Sequence, residues 1–106
     1  MNRRPLLRDK LRSVLEPYGA SDNVYFQPPE SIKLEYPCII YQLEYIFTRR
    51  ADNGVYTRQR RYEITIIDKN PDSELPDRLI DILPNVSNRN YFVNDGLYHT
   101  VFSLYW

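Results

Sequence analysis

The stretch YQLEYIFTRRADNGVYTRQRRYEITI, residues 41–66, decides the fold. Asn53-Gly54 sits at its centre. Asn-Gly between alternating apolar residues is the strongest short hairpin signal, because a type I′ turn needs positive φ at both central residues. With a two-residue turn at that pair, Tyr41 opposes Ile66, Leu43 opposes Ile64 and Tyr45 opposes Tyr62. All six then share one face, while Gln42 with Thr65 and Thr48 with Gln59 lie on the other, the alternation of a half-buried sheet. The same register sets Arg49 against Arg58 and Glu44 against Glu63, with Arg61 diagonal to Glu44.

Downstream, residues 73–83 read as a helix. Leu75, Leu79, Ile82 and Leu83 share a face, Asp72 or Ser73 caps it, and Pro84 stops it. Glu74 falls in the first turn, where the helix dipole favours negative charge, and Pro76 is tolerated there. A second hairpin, Asn90–Val93 and Leu97–Trp106, follows around Asp95-Gly96, and Tyr98, Phe102, Leu104 and Trp106 alternate with His99, Ser103 and Tyr105. Upstream, residues 5–16 carry Leu7, Leu11, Val14 and Leu15 on one helical face, between Pro5 and the stop signals Pro17 and Gly19. Residues 23–27 read as a short strand, and Pro28-Pro29 opens a loop to Tyr36. This order predicts an α+β domain, a mainly antiparallel sheet built from two β-hairpins plus a short strand, with two helices packed on one face.

The 106 residues make one domain, 1–106, with ordinary apolar (42%) and charged (26%) fractions. Fourteen basic and fourteen acidic residues cancel, so no overall field draws the chain to nucleic acid or membrane. No apolar run approaches the ~20 residues of a membrane helix, and Met1–Pro5 leads into an amphipathic helix, not a signal segment. The one cysteine excludes an internal disulfide and a multi-cysteine metal site. Cys38 reads as a small hydrophobe in a strand and His99 as a surface residue of another; a Cys–His dyad needs the two within hydrogen-bond reach. Asp68, Asp72, Glu74, Asp77 and Asp81 cluster in sequence. Asn70-Pro71-Asp72-Ser73 spells a turn and a helix cap, and Asp77 and Asp81 are spaced as an exposed helix face. No glycine-rich phosphate loop occurs. The residues therefore assign no catalytic, cofactor or metal site, and the chain reads as non-enzymatic.

The basic cluster is more informative. Arg49, Arg50, Arg58, Arg60 and Arg61 flank the hairpin tip, and an Arg49–Arg58 cross-strand pair is unfavourable unless an anion sits there. One reading is a solvated tip whose long side chains splay apart; the functional ones are an acidic patch on a neighbouring subunit or nucleic-acid phosphate, and zero net charge favours protein between these two. Ten tyrosines exceed what so small a core can bury together with Trp106. Tyr56, Tyr105 and Trp106 join the five arginines as candidate interface residues.

Tyr36-Pro37-Cys38-Ile39-Ile40-Tyr41, Ala51-Asp52-Asn53, the Arg61-Tyr62 pair opening a strand that ends Ile67-Asp68, Pro71-Asp72-Ser73 and a closing strand ending in two aromatics come in that order along nearly the whole chain. The ensemble resembles the tail completion, or tail terminator, proteins of tailed bacteriophages. The resemblance implies a non-enzymatic virion protein, assembled in the bacterial host cytoplasm and needing no cofactor. It implies a homo-oligomeric ring, typically a hexamer, at the head-proximal end of the tail tube. Such a ring stops tube polymerisation and presents a docking surface to the head, so its partners are itself, the tube protein and the head connector, with nucleic acid at most passing through the lumen. The neighbouring roles are a head–tail connector or head-completion (neck) protein. A reading of another class is a small nucleic-acid-binding module using the arginine tip.

Overall fold

The computed structural model describes residues 4–50, 54 and 56–106. In chain order they form α1 (Arg4–Leu15), a 3₁₀ turn (Glu16–Tyr18), β1 (Val24–Phe26), β2 (Cys38–Arg50), β3 (Tyr56–Asp68), α2 (Leu75–Ile82), β4 (Ser87–Asn94) and β5 (Leu97–Tyr105). The five strands make one sheet in the order β1-β2-β3-β5-β4, and only β1 and β2 run parallel. The architecture is α+β, as the sequence predicts.

The apolar stripes explain the packing. Leu7, Leu11, Val14 and Leu15 of α1 are fully buried, as are Leu75 and Leu79 of α2. They meet Ile39 and Tyr41 of β2, Tyr62, Ile64 and Ile66 of β3, and Phe102 and Leu104 of β5 in one core. The Arg78 guanidinium joins the helices by donating to the carbonyls of Val14 (3.0 Å) and Ser13 (3.1 Å), a cation on the C-terminal end of α1. α2 is shorter than expected. Glu74 stands at its N-cap without a side-chain cap bond, and Ser73 Oγ instead accepts from the Leu75 amide at 3.2 Å.

The central hairpin departs from its expected register. Tyr41 pairs with Ile64 and Leu43 with Tyr62, a slide of two residues that leaves the side chains of this part of the hairpin on their expected faces. With Arg50 paired to Tyr56, the connection spans residues 51–55 and not two residues. Asn53, the first residue of the expected turn, lies outside the described residues, as do Ala51 and Asp52; Gly54 has φ of +75°. A β-bulge then intervenes between Leu43 and Tyr45, so Tyr45 pairs with Arg61 and not with Tyr62. Tyr62 is 2% exposed in the core and Tyr45 is 49% exposed on the opposite face. Towards the tip Thr48 faces Arg58 and Arg49 faces Thr57, so the expected Arg49–Arg58 opposition does not occur. Nor does Glu44 face Glu63; Gln42 does, and its amide donates to Glu63 at 3.2 Å.

The second hairpin turns as predicted. Asp95 (φ +52°) and Gly96 (φ +72°) both take positive φ between the paired Asn94 and Leu97. Its first strand begins at Ser87, three residues before the expected Asn90, and is bulged between Asn88 and Asn90. β5 stops at Tyr105, and the Trp106 amide donates to the Arg60 carbonyl at 2.8 Å.

Burial separates neighbouring residues of α2. Leu79→Ala is expected to cost about 2–5 kcal/mol through the cavity it leaves, while Ile80→Ala, at an exposed position, stays within about ±0.5 kcal/mol. Urea unfolding of the two variants measures the difference.

Candidate interface on the outer sheet face and the hairpin arm

The face turned away from the helices carries a charge network built by the two bulges. A bulge sets consecutive side chains on one side of a strand. In β2 this puts both Glu44 and Tyr45 on the outer face, and in β4 it brings Arg89 there. Arg89 reaches over β5 and β3 to pair with Glu44 and, at 3.6 Å, with Glu63. Arg61 pairs with Glu44 at 2.7 Å, the diagonal contact read from the sequence. Desolvation opposes the Glu44 carboxylate, but the Arg89 hydrogen bond and the fields of Arg61 and Arg89 outweigh it and hold its pKa below the usual glutamate value. The Arg61 guanidinium is pushed above its usual range, first by its hydrogen bond with Tyr105 and, against desolvation, by Glu44.

An aromatic patch adjoins this network. Tyr45 and Phe47 meet edge to face at 4.4 Å, Phe47 lies 5.9 Å from Tyr105, and the Arg61 guanidinium sits 5.6 Å from the centre of the Tyr45 ring. All three aromatic side chains are exposed. Beyond them β2 and β3 outrun β5, whose last pair is Arg61 with Tyr105. The hairpin continues as a two-stranded arm through Thr48–Arg58 to Arg50–Tyr56. Arg58 is exposed and Arg60 half-buried on the arm. Arg49, Arg50 and Tyr56 hold register positions there, and their side chains lie outside the described residues. Trp106, the eighth candidate, packs partly buried against the core.

Sequence reasoning missed the free edge of the sheet. Every residue of β4 is exposed, including Tyr91, Phe92 and Val93. Its one charged side chain, Arg89, is engaged on the outer face, so the edge carries neither the free charge nor the proline that usually blunts an exposed strand. The signal available was the apolar run Tyr91-Phe92-Val93, which breaks the alternation of a strand with one solvated face.

Cys38 and His99 flank Ile67 in one cross-strand row, two strand spacings or roughly 10 Å apart along the backbone. Cys38 is fully buried, and burial, then the nearby Asp68, pushes its thiol up to about 12. His99 stacks on Phe92 with ring centres 4.6 Å apart, and its Nδ1 lies 3.1 Å from the Leu97 carbonyl. Asp68 accepts from the Asn70 amide and Asn70 from the Asp72 amide, so this loop spends its side chains on the turn. Among the described residues no three acids, histidines or cysteines gather to hold a metal ion, and no helix is long and apolar enough to cross a membrane.

The Glu44 network has a pH signature. Its folded pKa lies below the unfolded one, so its contribution is present above the unfolded value and is lost as pH falls through the folded value. Glu44→Gln is expected to lower stability by about 1 kcal/mol at neutral pH. The gap to the unsubstituted chain closes as pH drops below about 4. Urea midpoints across that range measure it. No protein-family model and no curated protein matches the chain, so the reading of this surface rests on its own side chains.

Proposed function

We propose that the chain is a structural protein of a phage virion, a tail terminator that forms a ring at the head-proximal end of the tail tube, ends tube growth and offers the docking surface for the head. The hairpin arm is the observation that carries this reading. Five residue pairs continue beyond the last pair of β5 as an arginine-rich arm, and such a projection contributes little to its own core. A ring needs two unlike surfaces per copy, one meeting the other on the next copy. The arm, the exposed aromatic patch and the open β4 edge supply several on a chain of 106 residues. The ordered resemblance along nearly the whole sequence supports the place in the virion. Zero net charge removes the self-repulsion that opposes packing of many copies.

The test reverses the arm. Arg49→Glu, Arg50→Glu, Arg58→Glu together are expected to shift the stability of the isolated chain by only about ±0.5 kcal/mol, since surface changes act weakly on folding. Lost charge pairs at an interface cost roughly 2–5 kcal/mol, enough to block assembly. Thermal melting and complementation of tail assembly read the two effects. A normal melt with over-long or headless tails supports the terminator. Joined particles that fail to retain DNA point to the connector role, and normal infectious particles reduce the arm to a solvated loop.

A further inference from the structure

We propose that copies of this chain join head to tail, the arginine arm of one copy seating on the acidic end of the next, where a cleft between Asp68, Tyr91 and Tyr98 receives an arm guanidinium. The contact itself requires only self-association; its closure into a ring rests on the function proposed above.

Topology separates the charges. β2 and β3, thirteen residues each, are the longest strands of a molecule 52 Å in its longest dimension, and the arm is at one end of the pair. The other end collects the close of β3 at Asp68, the loop carrying Asp72 and Glu74, and the Asp95 turn. Residues 44–61 hold five arginines against Glu44 and Asp52, with Glu44 paired to Arg61. Residues 68–81 hold five acids against Lys69 and Arg78, and Arg78 is turned onto the carbonyls of α1. Ten residues of strand, roughly 33 Å, separate Arg58 from Asp68. Charges screen over ~8 Å at physiological salt, so the two ends of one copy cannot neutralise each other. A second copy brings the complementary end without adding net charge. Nucleic acid would engage the arm alone and leave the acidic end unpaired.

The acidic end also has a receptor of suitable shape. On the helix side, Asp68, Ser73, Tyr91, Tyr98 and Thr100 line a cleft of about 40 Å³. That is room for one small planar group and far below the roughly 300–1,000 Å³ of a cofactor site. A carboxylate beside tyrosine rings matches a guanidinium, which pairs with the oxygens in its plane and stacks through its faces. Lys69, next in sequence to Asp68, lies instead towards the Tyr36 ring, 6.0 Å from its centre. On the arm, Arg58 and Arg60 share one face, because they alternate along β3.

Sedimentation velocity and native mass measurement of the purified full chain test the contact. The unsubstituted chain is expected to assemble. Arm reversal (Arg58→Glu with Arg60→Glu) and end reversal (Asp72→Lys with Glu74→Lys, both exposed) each weaken assembly at least about tenfold. Mixing the two variants restores assembly in strict alternation, because the two unaltered surfaces fit each other and so do the two reversed ones, and combining all four substitutions in one chain restores it as well. A chain carrying Arg58→Cys and Asn70→Cys is expected to form disulfide-linked ladders on oxidation, while buried Cys38 stays unreactive. Assembly that survives arm reversal, with no ladder, overturns this contact and leaves the ring reading standing. A chain that stays monomeric at all concentrations overturns both.

Discussion

One extra residue in β2 organises both faces of this sheet. As far as Leu43 and Tyr62, the two long strands obey burial against α1 and α2, and every second side chain points into the core. An unbroken strand would keep Tyr45 and Phe47 on that helix side. The bulge at Glu44 moves them to the outer face, beside Tyr105, just where the helical layer no longer governs the pattern. The same irregularity turns the Glu44 carboxylate towards Arg61 and Arg89, which gives the locally disrupted ladder a charged partner.

The bulge in β4 has the matching consequence. Arg89 is brought over the outer face and reaches Glu44 across two intervening strands, so the edge of the sheet is held to β2 by charge as well as to β5 by its ladder. Single exposed ion pairs contribute little, but here two cations and two carboxylates share half-covered positions. Stability is graded accordingly. The helix-covered middle of β2, β3 and β5 carries the buried side chains, whereas β4 and, on the arm, Thr48, Arg58 and Gln59 are exposed. Segments at that weakly packed end are the ones that open first and the ones free to bind another chain.

The sequence made the layers legible because burial writes a period into it. Leu7, Leu11, Val14 and Leu15 on α1, and Phe102 and Leu104 on β5, were readable as core and are core. Asp95-Gly96 was readable as a tight turn because its conformation is local. Asn53-Gly54 carries the same local signal, but there the register answers to packing at the far end of the strands. A slide of two residues preserves every face, so alternation cannot detect it. The bulge was equally silent, since Leu43-Glu44-Tyr45 alternates without a flaw. Trp106 read as a candidate for contact because so small a core could not bury it beside ten tyrosines, yet its amide donates to the Arg60 carbonyl and the side chain packs partly buried on the core. The Asp68–Tyr98 juxtaposition came only with the pairing of β3 to β5.

A net charge of zero conceals as much as it conveys. It is consistent with charges mixed evenly over a surface, and equally with opposite charges held at opposite ends. The second arrangement leaves each end electrostatically incomplete, because screening isolates it from the other. An interface between unlike ends then either propagates as a filament or closes, according to the rotation it imposes. The cleft residues Tyr98 and Thr100 pair with Asp68 and Ile66 on the helix side of the sheet, off the line of the two long strands. A contact that repeats without rotation continues as a fibre, and one whose rotation brings a later copy back to the first closes, so the arm and the cleft decide the assembly through the angle at which they meet.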